Sequence, residues 1–246
     1  SVNDFTPIKQ IDMKVGGVPK QPRSIVFYGS NAYVTCYDGF VDVIDTVTLQ
    51  VTNRIPVGSN PEGLTIANDK LYVANSGGLN FPNTDSTVSV IDLTLNAEIS
   101  KITVGPNPGA LITDASEEVY VIVRGDYGVV PSRMKRINTV TDQLEETFAF
   151  DVNGVISMNS KFLVYDYTSI SIFDPTLEQI ENLSFVDLSN VTTLYNVTYR
   201  QSNNQIYVSD AMNYTNTGYI RGFNANGSYS SSYHVGLNPS KILFYD

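Results

Sequence analysis

Pro61-Glu62-Gly63-Leu64-Thr65-Ile66-Ala67-Asn68-Asp69-Lys70-Leu71-Tyr72-Val73-Ala74-Asn75, with Thr87-Val88-Ser89-Val90-Ile91-Asp92 further on, decides the fold. Gly63 to Ala67, Lys70 to Ala74 and Thr87 to Asp92 alternate with a period of two, which places successive side chains on opposite faces of a strand. Asn68-Asp69 separates the first two runs with turn chemistry, and Gly77-Gly78 begins the longer connection to the third. Ala97 to Val104 supplies a fourth run before Asn107-Pro108. Residues 61–107 therefore predict four short antiparallel strands. Nowhere does the chain carry a capped apolar stripe of helical period, so the expected class is all-β.

The same syntax returns along the chain. Tyr33-Val34, Tyr72-Val73, Tyr120-Val121, Leu163-Val164 and Tyr207-Val208 are spaced by 39, 48, 43 and 44 residues. Each is followed by an alternating run closed by Asp or Asn: Val41 to Asp45, Val88 to Asp92, Met134 to Asn138, Ile170 to Asp174 and Ile220 to Asn224. The junctions Val57-Gly58-Ser59-Asn60-Pro61, Val104-Gly105-Pro106-Asn107-Pro108 and Val235-Gly236-Leu237-Asn238-Pro239 share one pattern. Four-stranded units at this period are the blades of a β-propeller, which cannot bury their faces alone and must stack on neighbours. The expectation is one propeller domain over residues 1–246. Its blades span 21–60, 61–107, 108–153, 154–193 and 194–237, and a sixth, closing blade combines 1–20 with 239–246. That closing unit is short of one strand, which implies further sequence before Ser1 or an unpaired edge.

Composition excludes several classes. A net charge of -10, from 15 basic and 25 acidic residues, opposes binding to a phosphate backbone. One cysteine, Cys36, permits no internal disulfide, and one histidine, His234, permits no multi-histidine zinc site. No apolar run is long enough for a membrane-spanning helix, and Ser1 opens no export signal. Nucleotide-binding glycine motifs, HExxH and EF-hand patterns are missing. Glu117-Glu118 and Glu145-Glu146 are adjacent in sequence, so each pair diverges across a strand or turn and reads as solvated surface. Cys36 reads as a small buried hydrophobe, and His234 as a residue that packs or faces solvent.

The Asn60-Pro61-Glu62-Gly63-Leu64 start, Leu71-Tyr72-Val73-Ala74-Asn75 and Val88-Ser89-Val90-Ile91-Asp92 resemble the YVTN-type propeller repeats. Lys70 to Asp92, with Ala74-Asn75-Ser76-Gly77-Gly78 and Pro82-Asn83-Thr84-Asp85-Ser86-Thr87, then Arg124-Gly125-Asp126-Tyr127, is similar to the surface-exposed propeller lipoproteins of gut Bacteroidetes that capture cobalamin. This resemblance implies seven blades in the full-length family, an extracellular location, a lipid anchor upstream of this chain, and no catalysis or cofactor. It also implies an outer-membrane transporter as partner. The chain departs from it in having only six blade equivalents and no lipid-attachment cysteine near Ser1.

Loops from the second to the third strand and from blade to blade emerge on one face of a propeller. Ser76 to Ser86, Arg124 to Arg133 and Asp210 to Tyr219 are insertions there, whereas Tyr37 to Phe40 and Asp166 to Ser169 are short. Gly, Asn and Tyr enrich these insertions, combining rigid aromatic surface with adaptable hydrogen bonding. The candidate ligand-binding residues are Asn75, Asn80, Phe81, Arg124, Asp126, Tyr127, Asp210, Asn213 and Tyr214. Tyr37 and Tyr167 occupy the same repeat position as Arg124 and join them, although either ring could instead pack between blades. Aromatic faces suit a flat, partly apolar ligand, and Asn and Arg suit its amides or phosphate. A corrinoid fits that description, and so does a glycan.

The leading expectation is a non-catalytic cell-surface binding propeller for a cobalamin-like ligand. A surface scaffold engaging glycan or protein is the alternative. A metal-dependent lactonase or lyase, with metal among Asp166, Asp210 and Asn75, is the third reading. Arg124-Gly125-Asp126 spells an adhesion tripeptide, a match short enough to arise by chance. Five Asn-x-Ser/Thr sequons at Asn182, Asn190, Asn196, Asn213 and Asn226 matter only in a eukaryotic secretory route. Asp45-Thr46-Val47 and Asp85-Ser86-Thr87 resemble O-glycan acceptor sites of exported Bacteroidetes proteins.

Overall fold

The repeated Asp or Asn that ends each third strand has a local purpose. Asp45 Oδ1 accepts from the backbone N–H groups of Val47 (3.1 Å) and Thr48 (2.6 Å). Asp92 does the same for Thr94 and Leu95, Asn138 for Val140 and Thr141, and Asp174 for Thr176 and Leu177. Each is a side-chain-capped turn that reverses the chain into the fourth strand. Four residues after each cap the backbone turns left-handed, at Leu49, Asn96, Asp142 and Glu178.

A computed structural model describes residues 6–244. A hairpin, β1 (Lys14–Val15) and β2 (Val18–Pro19), precedes five four-stranded sheets. The first holds β3 (Pro22–Tyr28), β4 (Asn31–Cys36), β5 (Phe40–Asp45) and β6 (Gln50–Pro56). The second holds β7 (Pro61–Ala67), β8 (Lys70–Asn75), β9 (Thr87–Asp92) and β10 (Ala97–Thr103). The third holds β11 (Pro108–Thr113), β12 (Val119–Val123), β13 (Arg133–Asn138) and β14 (Gln143–Phe148). In the fourth are β15 (Gly154–Met158), β16 (Lys161–Tyr165), β17 (Ile170–Asp174) and β18 (Gln179–Asn182). The fifth is β19 (Leu194–Arg200), β20 (Gln205–Asp210), β21 (Thr217–Phe223) and β22 (Tyr229–Leu237). Every sheet is an antiparallel meander in sequence order, the blade unit of a propeller.

Among the described residues five blades are therefore present, not six. Residues 239–244 form no strand, and β1 and β2 make a hairpin of two residues per strand in place of the outer strands of a closing blade. Residues 1–5 and 245–246 of that expected blade lie outside the described residues. The N-terminal segment has a different use. Ile11 and Met13 pack on Ala32, Val34, Cys36 and Ile44 of the first blade, and Lys20 Nζ reaches the buried Asp42 carboxylate at 2.6 Å. Gly16-Gly17 at the hairpin turn adopts positive φ, a conformation that costs glycine little but does nothing to lengthen a ladder.

By its own contacts the chain divides into two compact units, Ser1–Asp151 and Val152–Asp246. In the first unit β3 lies beside β7 and β7 beside β11, so the blades meet along their first strands. Side-chain alternation then sorts the core. Leu71, Val73 and Ile91 face the first blade with Tyr33, Val41, Val43 and Ile55, whereas Tyr72, Val88 and Val90 face the third with Val119, Val121, Val123 and Ile137. Each aliphatic side chain so buried contributes about 1.5–3 kcal/mol. The repeat tyrosine also spans the interface. Tyr33 Oη donates to Asn96 Oδ1 (3.0 Å), and Tyr72 Oη to Asp142 Oδ1 (2.6 Å), each acceptor being the left-handed residue of the next blade's turn.

In the second unit Leu163, Ile170 and Ile172 of the fourth blade pack with Val197, Ile206, Val208 and Phe223 of the fifth. Leu163 stands where the other blades have Tyr and makes the same interblade contact without a hydroxyl.

Candidate functional site: a cleft between the second and third blades

The junction before the first strand of each of the first three blades sets the site. Gln21, Asn60, Asn107 and Asn238 each precede a proline and each has positive φ, between 45° and 59°. After that residue the register of β3, β7 and β11 shifts, a bulge that carries Glu62-Gly63 in the second blade and Gly109-Ala110 in the third. At Gly63 a Cβ would lie 2.4 Å from the Gly109 carbonyl oxygen, and at Gly109 it would lie 2.5 Å from the Arg124 guanidinium carbon. Glycine at both positions lets the two first strands close together and lets Arg124 lie flat over the backbone.

The insertions are stitched by single acceptors. Asp85 Oδ1 takes the N–H groups of Ser86 and Thr87, while its Oδ2 takes that of Ser59 (2.9 Å), fixing the 76–86 loop to the junction. Asp126 Oδ1 takes those of Gly128 and Val130. The Val130 and Gly128 hydrogen bonds hold its carboxyl below the usual range. Asn60 bridges loops of two blades, its amide donating to the Tyr37 carbonyl (3.0 Å) and accepting from Leu79 N–H (3.1 Å).

A cleft of about 310 Å³ results, lined by Tyr37, Glu62, Leu79, Phe81, Thr84, Asn107, Arg124 and Tyr127 among others. Phe81 and Tyr127 project from their loops 57% and 67% exposed, with ring centroids 6.2 Å apart and planes 50° apart. Tyr127 holds φ at 59°, an uncommon conformation for a bulky residue, and its hydroxyl receives the Asn107 amide proton at 3.1 Å. At the base Tyr37 Oη donates to Glu62 Oε1 in a very short contact, and Arg23 Nε meets Glu62 Oε2 at 3.3 Å while its guanidinium covers the Tyr37 ring. Burial, then the Glu62 hydrogen bond, push the Tyr37 phenol up to about 12, so it remains protonated at neutral pH. A second hollow of about 560 Å³ shares Tyr37 and adds Asp38, Phe40, Asn80, Asp85 and Lys101.

Of the residues expected at the site, the structure brings Tyr37, Phe81, Arg124 and Tyr127 around one cleft and sets Asn80 in the adjoining hollow. Asn75 is elsewhere: fully buried, it accepts from Gly58 N–H and donates to Thr87 and Ser89. Asp126 turns into its own loop, which also separates its role from that of Arg124 in the Arg-Gly-Asp tripeptide. In the second unit Asp210 is buried and ion-paired with Arg221 at 3.1 Å, where a rim residue was expected. Asn213 caps its loop through Thr215 and Asn216, Tyr214 stacks edge-on with Tyr195, and the Tyr167 ring is 71% exposed. Asp166 accepts from the backbone of Thr168 and Ser169, and His234 Nε2 lies 2.6 Å from the Thr217 hydroxyl.

Glu62 and Asn107 were not anticipated. Both sit in the repeated Asn-Pro junction, which opens on the same face as the insertions, so the repeat that reveals the blades also marked them.

No protein-family model matches the chain, and no curated protein matches it. Among solved structures, Kuenenia stuttgartiensis hydrazine synthase is similar with a TM-score of 0.70 over 91% of this chain and 70% of that chain, at 17% sequence identity. That likeness is one of fold, and with the five meanders it defines an all-β propeller with four-stranded antiparallel blades. No family model and no curated protein ties the chain to the YVTN-type repeats or to the cobalamin-capturing lipoproteins.

Proposed function

We propose that this chain is a binding module that takes a ring-bearing ligand with a polar edge into the cleft between its second and third blades. The observation that carries the reading is the pair of exposed rings, Phe81 and Tyr127, held on stitched loops above a polar floor of Tyr37, Glu62, Asn107 and Arg124. Large aromatic surfaces cost hydration unless something covers them, and rings fixed in advance lose little entropy on binding. The role is non-catalytic in this reading, because the Tyr37 phenol stays protonated and Glu62 is engaged by Tyr37 and Arg23.

A saccharide is the occupant that the volume favours, since about 310 Å³ lies at the small end of ligand pockets. The adjoining hollow of about 560 Å³ favours a second reading, a corrinoid laid across Tyr37 into both depressions. In that reading the module works outside the cell and passes its cargo to an outer-membrane transporter. Calorimetric titration with cyanocobalamin and with a panel of mono- and oligosaccharides tests both. Saturable binding that is lost in Phe81→Ala/Tyr127→Ala supports the cleft. Binding that survives this double variant, or heat from neither ligand class, overturns it.

A further inference from the structure

Polar groups in the cleft differ in what they have left to offer. Glu62 accepts from Tyr37 at Oε1 and from Arg23 at Oε2, so both of its oxygens are already engaged within the protein. The Arg124 guanidinium makes no hydrogen bond among the described residues, and its nearest carboxylate oxygen, Glu62 Oε1, is 3.9 Å away. Its side chain is only 31% exposed. The buried Asn107, 3% exposed, gives its amide proton to the Tyr127 oxygen, which leaves the Tyr127 proton free, and Asn107 Oδ1 itself has no partner. The uncommitted groups nearest the cleft opening are thus two donors, Arg124 and Tyr127, above one buried acceptor, Asn107 Oδ1, so the ligand brings acceptors to the two donors. Charge points the same way: Arg23, beneath the cleft, and Arg124, in its lining, both approach the Glu62 carboxylate, so two guanidiniums offset one carboxylate in a chain of net charge -10.

We infer that the ligand is an anionic sugar: a pyranose ring bearing a carboxylate or phosphate, held bidentately by Arg124, with its C–H face against Tyr127 and Phe81. A guanidinium fork matches both oxyanions. The two rings, tilted by 50°, form a wedge, whereas a flat conjugated ligand needs a parallel slot. This inference rests on the proposed binding cleft and adds the charge and class of its occupant.

The test is titration of the full chain with methyl glucuronide, glucose 6-phosphate and methyl glucoside at low and high salt. The first two are expected to bind about tenfold or more tighter than the neutral sugar, with the gap shrinking in salt. The ratio of the first two assigns carboxylate or phosphate. Arg124→Gln is expected to erase the gap between charged and neutral sugars, and Arg124→Lys to restore part of it. Circular dichroism and melting of both variants confirm that the fold is retained. Equal affinity for charged and neutral sugars, or a gap that survives Arg124→Gln, overturns the anion inference and leaves the cleft standing. Cyanocobalamin binding without any sugar binding overturns the inference in favour of the corrinoid. No binding by any probe overturns both inference and cleft.

Discussion

Tyr72 in the second blade donates its phenol proton to Asp142 in the third, 2.6 Å away across 70 residues of sequence. Lys70 Nζ reaches the same carboxylate oxygen at 2.7 Å, so one turn residue of the third blade anchors two side chains of one second-blade strand. Burial, then the Asp142 hydrogen bond, raise the Tyr72 phenol, which favours the protonated donor on which the contact depends.

Tyr72→Phe keeps the ring and removes the donor. The expected cost is about 1.5–3 kcal/mol of unfolding free energy, the range for hydrogen bonds to charged groups. Urea denaturation at neutral pH measures it. A change below about 0.5 kcal/mol would show that Lys70 alone satisfies Asp142.

The paired glycines of the second and third blades should respond differently to one added methyl group. In Gly63→Ala the methyl meets backbone, the Gly109 carbonyl, so the strands must separate at an expected cost of about 1–3 kcal/mol. In Gly109→Ala it meets the mobile end of Arg124, so stability should hold within about 0.5 kcal/mol while the guanidinium is displaced. Denaturation of both variants, with a ligand titration of the second, separates packing from site geometry.

Acid should weaken the second unit through Asp210. Burial alone would raise this carboxyl, but the N–H groups of Thr193, Met212 and Thr192 and the Arg221 guanidinium outweigh it and hold it below the usual range. A depressed carboxylate stabilises the fold above its unfolded value, about 3.9, and that stabilisation is lost as the pH falls through the folded value. Asp210→Asn should therefore cost about 1–3 kcal/mol at pH 7, with the difference from the parent shrinking below about pH 4. Denaturation curves at neutral and acid pH read the difference directly.

Cys36 should be inert in the native state. It is fully buried, and burial first, with Asp42 and Asp38 adding, pushes its thiol up to about 12. A thiol reagent at pH 8 should label the denatured chain fully and the native chain negligibly on the same timescale. Fast native labelling would mean that the first blade opens locally.

Local rules made the blades legible. A period of two, a tyrosine facing the next blade, and an Asp or Asn capping the turn after the third strand are decided within a few residues, so Tyr72 and Asp92 could be read from their neighbours. The number of blades was different. Whether residues 239–246 and 1–20 would pair depended on a ladder between segments remote in sequence, and no local pattern reports such pairing. The hairpin of Lys14–Pro19, the unpaired 239–244 and the packing of Ile11 and Met13 on the first blade were settled by tertiary contact.

The site divides along the same line. Aromatic and polar enrichment in the insertions singled out Phe81, Arg124 and Tyr127, which the structure places around one cleft, because loop composition is a local property. It misplaced Asn75 and Asp210, whose polar groups satisfy backbone and ion-pair partners inside their blades, and it passed over Glu62 and Asn107. What a side chain offers a ligand is whatever its hydrogen-bonding capacity has left after its neighbours are satisfied. Sequence determined which groups were present near the 61–92 and 107–127 segments; only the folded arrangement of Arg23, Tyr37, Glu62 and Arg124 decided that one carboxylate would be shared by a phenol and two guanidiniums, with Arg124 near it but not hydrogen-bonded to it.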